Sequence, residues 1–281
     1  MDELTRLYSP SCWVAGKSSE EVMSEFISKT QEAFENLKNN LEIPRSLDIS
    51  YGSKPNKKID LWGPKDSKNL LIYFHGGYWA AGSRHDTAPI LPCALKSGYT
   101  VAAMGYELAT KNIGSLPETI SDAIQGTQYV LENFGDNFEN IIVGGHSAGG
   151  HLAIRAVSGS ENSKNSNKIK GLLLFSGVYF VEELVETDIG RDISLTASDA
   201  KLSTCDFKLI RVPGSINQVQ IILGLQESPK LIEQNRELMG DFANTYKIDE
   251  FPDDSHFSII TGLLNEHSDV FKTVSRFLNS F

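Results

Sequence analysis

The pentapeptide Gly145-His146-Ser147-Ala148-Gly149 fits the pattern G-x-S-x-G. That spacing suits a serine nucleophile held on a sharp turn. It follows the apolar run Ile141–Gly144 and precedes a helical pattern, so Ser147 is expected where a strand turns into a helix. Both flanks must be small, because a β-carbon two residues to either side would collide at so tight a turn. The helix N-terminus adds free N–H groups and partial positive charge. A serine hydroxyl is a poor nucleophile near neutral pH. It needs a base, and the base needs an orienting acid. On turns of this kind the acid and then the histidine follow the serine in the chain.

Six histidines are available. His75, His146 and His151 belong to the Gly-rich segments, His85 precedes the serine, and His267 lies within the terminal helical pattern. His256, in "FPDDSHFSII", follows the last strand-like run in a polar stretch and is the candidate base. The candidate acid is Glu227, in "VQIILGLQESP", just after the preceding strand-like run. Asp199 and Asp206 come before that run. Asp249 falls inside the final strand pattern, and Asp253 and Asp254 sit beside the histidine itself. The bland alternative for Glu227 is an exposed acid at a helix start; chain order favours the triad role.

A second segment, "YFHGGYWAAG" at 73–82, places glycines and aromatics directly after an apolar run. Glycines let a backbone approach a reacting carbonyl with no side chain in the way. A tetrahedral oxyanion is stabilised by preorganised N–H groups, each worth about 2.7 to 4 kcal/mol. The expected donors are the amides of Gly77, Tyr78 and Ala148. Tyr78 and Trp79 are the expected substrate-contacting residues. The bland alternative for Trp79 is a core ring behind the loop.

The surrounding elements must present these groups together. Apolar spacing from Glu20 to Leu41 predicts an amphipathic helix. "SLDISYG" and "KIDLWGP", joined by "GSKPNKK", read as a hairpin. "LLIYFHGG", "TVAAMGYELA", "NIIVGGHS", "IKGLLLFSG", "VQIILG" and "YKIDEFP" read as strands, the apolar ones buried on both faces. Helical patterns fall between them, at 86–97, 117–134 and after Ser147, and again from 257 to 281. The alternation predicts one α/β domain over 1–281, with a mainly parallel sheet, helices on both faces and an antiparallel edge. A long mixed stretch at about 178–216 reads as a lid.

The chain has 281 residues, a formal net charge of −10 and 22 % charged residues. Its acidity argues against nucleic acid or an anionic membrane surface as the main partner. No segment approaches the ~20 apolar residues of a membrane span. The N-terminal residues lack a basic region followed by an apolar one, so no secretory signal is expected. Three scattered cysteines suit a reducing compartment and have no metal-site spacing. Cytoplasmic localisation, a small-molecule substrate and no metal are the resulting expectations. A homodimer is allowed.

Several segments together resemble the kynurenine formamidase (arylformamidase) branch of the α/β-hydrolases. "HGGYW" stands where lipases and esterases carry HGGG. "YELA" at 106–109, "GLQESP" at 224–229 and "YSPSCW" at 8–13 are similar to that branch's segments. The resemblance spans nearly the whole chain. It implies the α/β-hydrolase fold and hydrolysis of N-formylkynurenine to kynurenine and formate, a step of tryptophan breakdown, without metal or organic cofactor. At Glu227 the branch more often has Asp. The alternative enzyme is a short-chain carboxylesterase of the hormone-sensitive-lipase type.

Overall fold

The computed structural model describes residues 1–205, 214–238 and 246–281. Eight strands form one sheet: β1 (Arg45–Ser50), β2 (Lys58–Trp62), β3 (Asn69–Phe74), β4 (Tyr99–Met104), β5 (Asn140–His146), β6 (Ile169–Phe175), β7 (Gln218–Gln226) and β8 (Tyr246–Ser255). Their order is β1-β2-β4-β3-β5-β6-β7-β8. β1/β2 and β2/β4 are antiparallel, and every other pairing is parallel. The fold is therefore α/β with a mainly parallel sheet and an antiparallel edge, as the alternating pattern requires.

Side-chain alternation along β3 shows how the sheet is covered. Leu70, Ile72 and Phe74 join one apolar cluster, while Leu71 and Tyr73 join the other. The first cluster packs under α4 (Leu116–Asn133) and α5 (Ala148–Gly159). The second packs under α2 (Ser19–Asn39), α3 (Leu91–Lys96) and α10 (Asp269–Leu278). A strand buried on both faces has no polar side to show, which explains the unbroken apolar runs.

Local signals fix the helix starts. Ser18 and Glu21 form a reciprocal cap on α2, and Ser115 and Glu118 form one on α4, whose first turn holds Pro117. The helix expected at 86–97 starts instead as a 3₁₀ turn over Arg84–Ile90 and becomes α-helical at Leu91, with prolines at 89 and 92. Short helices α1 (Glu3–Leu7), α6 (Asp188–Asp192), α7 (Ala197–Ser203), α8 (Pro229–Glu237) and α9 (Ser258–Thr261) complete the helices that matter here. Part of the stretch read as a lid, and Asp206 with it, lies outside the described residues. Its described part carries α6 and α7.

Among the described residues no helix is long and apolar enough to cross a membrane.

Candidate active site

The site lies at the C-terminal ends of the parallel strands, where α/β sheets open their crevices. β3 delivers the 75–82 loop, β5 delivers Ser147, β7 delivers Glu227 and β8 delivers His256.

Ser147 has φ 56° and ψ −123°, a region that β-carbon residues rarely occupy. Its amide donates to the Phe175 carbonyl at 2.8 Å, which ties the turn to β6. The flanking glycines are steric necessities. A β-carbon at Gly145 would sit 2.3 Å from the Gly149 carbonyl group, and one at Gly149 would sit 2.1 Å from the Phe74 carbonyl oxygen. Helix α5 begins at Ala148, so that amide is free at the helix start.

The structure brings the three sequence candidates together. His256 Nδ1–H donates to Glu227 Oε2 at 2.5 Å, and both side chains are buried. Glu227 Oε1 accepts the Ser228 amide at 2.7 Å. With Nδ1 bound to a carboxylate, the other ring nitrogen of His256 is left free as a candidate base. Ser147 and His256 line the same cavity. Among the described residues no hydrogen bond joins them; such bonds often tighten only when substrate binds. Asp254, the other acid beside the histidine, instead accepts from the Ser258 hydroxyl at 2.7 Å.

His146 is a residue that sequence reasoning passed over. Its Nε2–H donates to the His256 carbonyl at 2.8 Å, and the two ring centroids are 4.4 Å apart. Burial, and next the neighbouring His256, push its pKa well below the usual histidine value. It stays neutral and packs against the His256 ring. Its position inside G-x-S-x-G hid this role, which depends on a contact 110 residues away.

In the 75–82 loop, Gly77, Tyr78 and Trp79 have φ of 107°, 46° and 59° in succession. A β-carbon at Gly77 would lie 2.3 Å from the Ala81 carbonyl oxygen, so only glycine fits. The Gly77 carbonyl accepts the amides of Ala80 and Ala81, both at 3.0 Å, and Trp79 accepts Ala109 N–H at 2.7 Å. Among the described residues the Gly77, Tyr78 and Ala148 amides have no acceptor. Behind the loop, His75 stacks on Tyr106 at 4.3 Å and 9°, and the Tyr106 hydroxyl donates to the His75 carbonyl at 2.9 Å.

The two aromatics part company. Tyr78 lines the cavity, with its hydroxyl donating to the Tyr8 carbonyl at 2.5 Å. Trp79 was expected to touch substrate. Its ring is instead wholly buried in the core and packs edge-on against His151 at 5.1 Å. The left-handed backbone at both residues swings the second ring under the loop, away from the cavity.

The cavity has a volume of about 320 Å³. Helix α2 contributes Met23, Phe26, Ile27 and Thr30, the N-terminal segment contributes Ser9–Ser11, and α6 contributes Ile189. The sequence showed α2 only as amphipathic, although Met23 and Ile27 remain exposed apolar residues beside the site. Among the described residues no cluster of His, Cys, Asp and Glu is arranged to hold a metal.

Residues 71–206 match a family model described as alpha/beta hydrolase fold. The chain has the α/β-hydrolase fold. This hydrolase is 28 % identical to the kynurenine formamidase of Danio rerio over 95 % of its own length and 92 % of the relative's. A solved structure of a putative thioesterase from Silicibacter sp. TM1040 superposes with a TM-score of 0.78 at 21 % identity, covering 98 % of this hydrolase and all of that chain. A hormone-sensitive lipase from a metagenome library superposes with a TM-score of 0.67 at 17 % identity, covering 100 % and 98 %. The two structural likenesses bear on fold alone.

Proposed function

We propose that this hydrolase is an arylformamidase that cleaves N-formyl-L-kynurenine to L-kynurenine and formate, a step of tryptophan breakdown, through Ser147, His256 and Glu227. His256 takes the Ser147 proton as the hydroxyl oxygen adds to the formyl carbon. The resulting oxyanion is held by the Gly77, Tyr78 and Ala148 amides. His256 then returns the proton to the departing aryl amine, leaving a formyl ester on Ser147. Water, deprotonated by His256, adds to that ester. Collapse of the second oxyanion releases formate and regenerates the serine. Glu227 holds the imidazole in the tautomer this needs and stabilises its protonated form. Activity should persist in a chelator.

The His256–Glu227 hydrogen bond beside the strained Ser147 is the observation that carries the chemistry. The formamidase assignment is supported by the near full-length resemblance to the Danio rerio enzyme and by Tyr78. The Tyr78 ring is pinned to the N-terminal segment at the cavity, so it crowds the space next to a bound carbonyl. Formyl is the smallest acyl group and loses least there. The short-chain carboxylesterase reading is favoured by the likeness to hormone-sensitive lipase, which concerns fold alone.

The test is kcat/KM over formyl, acetyl and butyryl derivatives of one aryl amine, with N-formylkynurenine alongside. Each added methylene should cost roughly 10- to 200-fold if it cannot be accommodated. A preference for butyryl groups, with no turnover of N-formylkynurenine, would make the protein a carboxylesterase.

A further inference from the structure

We propose that Tyr8 is a positioning residue for catalysis: the backbone of Leu7 and Tyr8 braces the loop after β3 against the loop of the triad acid, and the Tyr8 side chain holds that backbone in place. This role rests on the functions proposed above for Glu227 and the Tyr78 amide, and it gives the "YSPSCW" segment a task in the reaction.

Helix α1 has only five residues, too few to be stable alone. The last carbonyls of a helix lack partners within it, and here they run from Thr5 to Tyr8. The first two are satisfied locally. The Thr5 carbonyl accepts the Tyr8 amide at 3.1 Å and the Ser9 hydroxyl at 2.7 Å. The Arg6 carbonyl accepts the Ser9 amide at 3.0 Å and the Trp13 indole N–H at 2.9 Å. The next two reach across the fold. The Leu7 carbonyl accepts the Ser228 hydroxyl and the Tyr8 carbonyl accepts the Tyr78 hydroxyl, both at 2.5 Å. Two adjacent carbonyls thus bind two loops that are far apart in the chain.

Each of those loops carries a group of the proposed mechanism. Ser228 follows Glu227, whose Oε1 accepts the Ser228 amide at 2.7 Å while Oε2 accepts from His256. Tyr78 supplies an oxyanion amide from a backbone with φ 46°. A shift of Leu7 and Tyr8 would move the acid and the donor together, and a misplacement of about 1 Å can cost on the order of 10²-fold in rate.

The Tyr8 side chain fixes this backbone. It is 2 % exposed, and its hydroxyl donates to Glu183 Oε2 at 2.9 Å and accepts from Gln234 Nε2 at 3.4 Å. Glu183 is paired with Lys230 of α8 at 2.7 Å. Gln234 Oε1 accepts the amides of Tyr179 and Phe180 at 2.7 and 3.0 Å, which ties it to the chain beyond β6. Ser9, Pro10 and Ser11 line the cavity, but Tyr8 does not. Removing its hydroxyl therefore deletes no group from the cavity wall.

The experiment measures kcat, KM and Tm on whichever of N-formylkynurenine or phenyl acetate the wild type cleaves. Tyr8→Phe keeps the ring and the carbonyl and removes the anchor. It should lower kcat about fivefold and leave KM within about twofold of the wild type. A merely structural Tyr8 would lower Tm and leave kcat unchanged, and that result would overturn the role. Tyr78→Phe and Ser228→Ala remove the two loop hydroxyls and keep both amides. Each should lower kcat about fivefold. Together they should lower it about eightfold rather than about 25-fold, because a shared brace is lost only once. Falls that multiply, or wild-type kcat in both single variants, would overturn the brace. Failure of the formamidase reading shows separately, as no cleavage of N-formylkynurenine while phenyl acetate still reports the coupling. Failure of the triad shows as turnover retained by Ser147→Ala.

Discussion

Two Gly-rich turns meet at the site, and they hold their strain in opposite ways. In the turn after β5 the strained residue is Ser147, whose side chain contributes nothing to holding the turn. The geometry is set by its neighbours: Gly145 and Gly149 have no room for a β-carbon, and the Ser147 amide is tied to Phe175. In the turn after β3 the strained residues are Tyr78 and Trp79, and their side chains are the anchors. One ring is locked in the core and the other is bound to the Tyr8 carbonyl. The first turn leaves its side chain free to react. The second uses its side chains to fix the backbone, and its Gly77 and Tyr78 amides have no acceptor among the described residues. In the proposed mechanism, the buried Trp79 ring therefore governs rate through the amides that it positions.

That contrast can be broken at Trp79. Trp79→Ala should cost about 3 to 5 kcal/mol of stability and should also lower kcat for every substrate, although the ring touches none. Thermal unfolding and kcat on a formyl and an acetyl substrate check both effects. A destabilised variant with wild-type kcat would mean that the anchor is irrelevant to the amides. On the other turn, Gly149→Ala should cost about 1 to 3 kcal/mol or more, because the new methyl meets backbone oxygens that cannot step aside. A denaturant titration measures this. Normal stability would show that the turn yields more than its geometry suggests.

Buried histidines pack around both turns and make stability depend on pH. His75, His146 and His151 all have pKa values lowered chiefly by burial, His151 to about 3. The unfolded chain therefore binds more protons than the folded one once pH falls below the unfolded value near 6.5. Stability should fall in that direction, down to the folded pKa, by up to about 1.4 kcal/mol per pH unit for each histidine. His151→Gln should flatten the profile of Tm against pH between 6.5 and 4. The smallest effect belongs to Tyr78→Phe. Losing the bond to the Tyr8 carbonyl should cost about 0.5 to 1.5 kcal/mol and relax selectivity for formyl over acetyl. An unchanged selectivity would assign the crowding to another side chain.

The features legible in the sequence are those written over short stretches. Apolar runs at 69–74 and 140–146 announced strands buried on both faces, and chain order after Ser147 singled out His256 and Glu227, which do meet. The direction of the Trp79 ring was illegible, because two successive left-handed residues invert the outward-and-inward rule of a strand. His146 and Thr30 were missed for a different reason. Each faces the site through a contact between elements far apart in the chain, and neither position looks unusual among its neighbours. The proposed oxyanion donors were readable only as residue types. That their amides lack acceptors is a property of the folded loop.

Ser147→Ala tests the central claim most directly, because alanine keeps the β-carbon and the strained turn and removes only the hydroxyl. The rate of kynurenine formation from N-formylkynurenine should drop about 10⁴-fold or more, with Tm essentially unchanged. A folded Ser147→Ala protein that retains turnover within tenfold of the wild type would contradict the account.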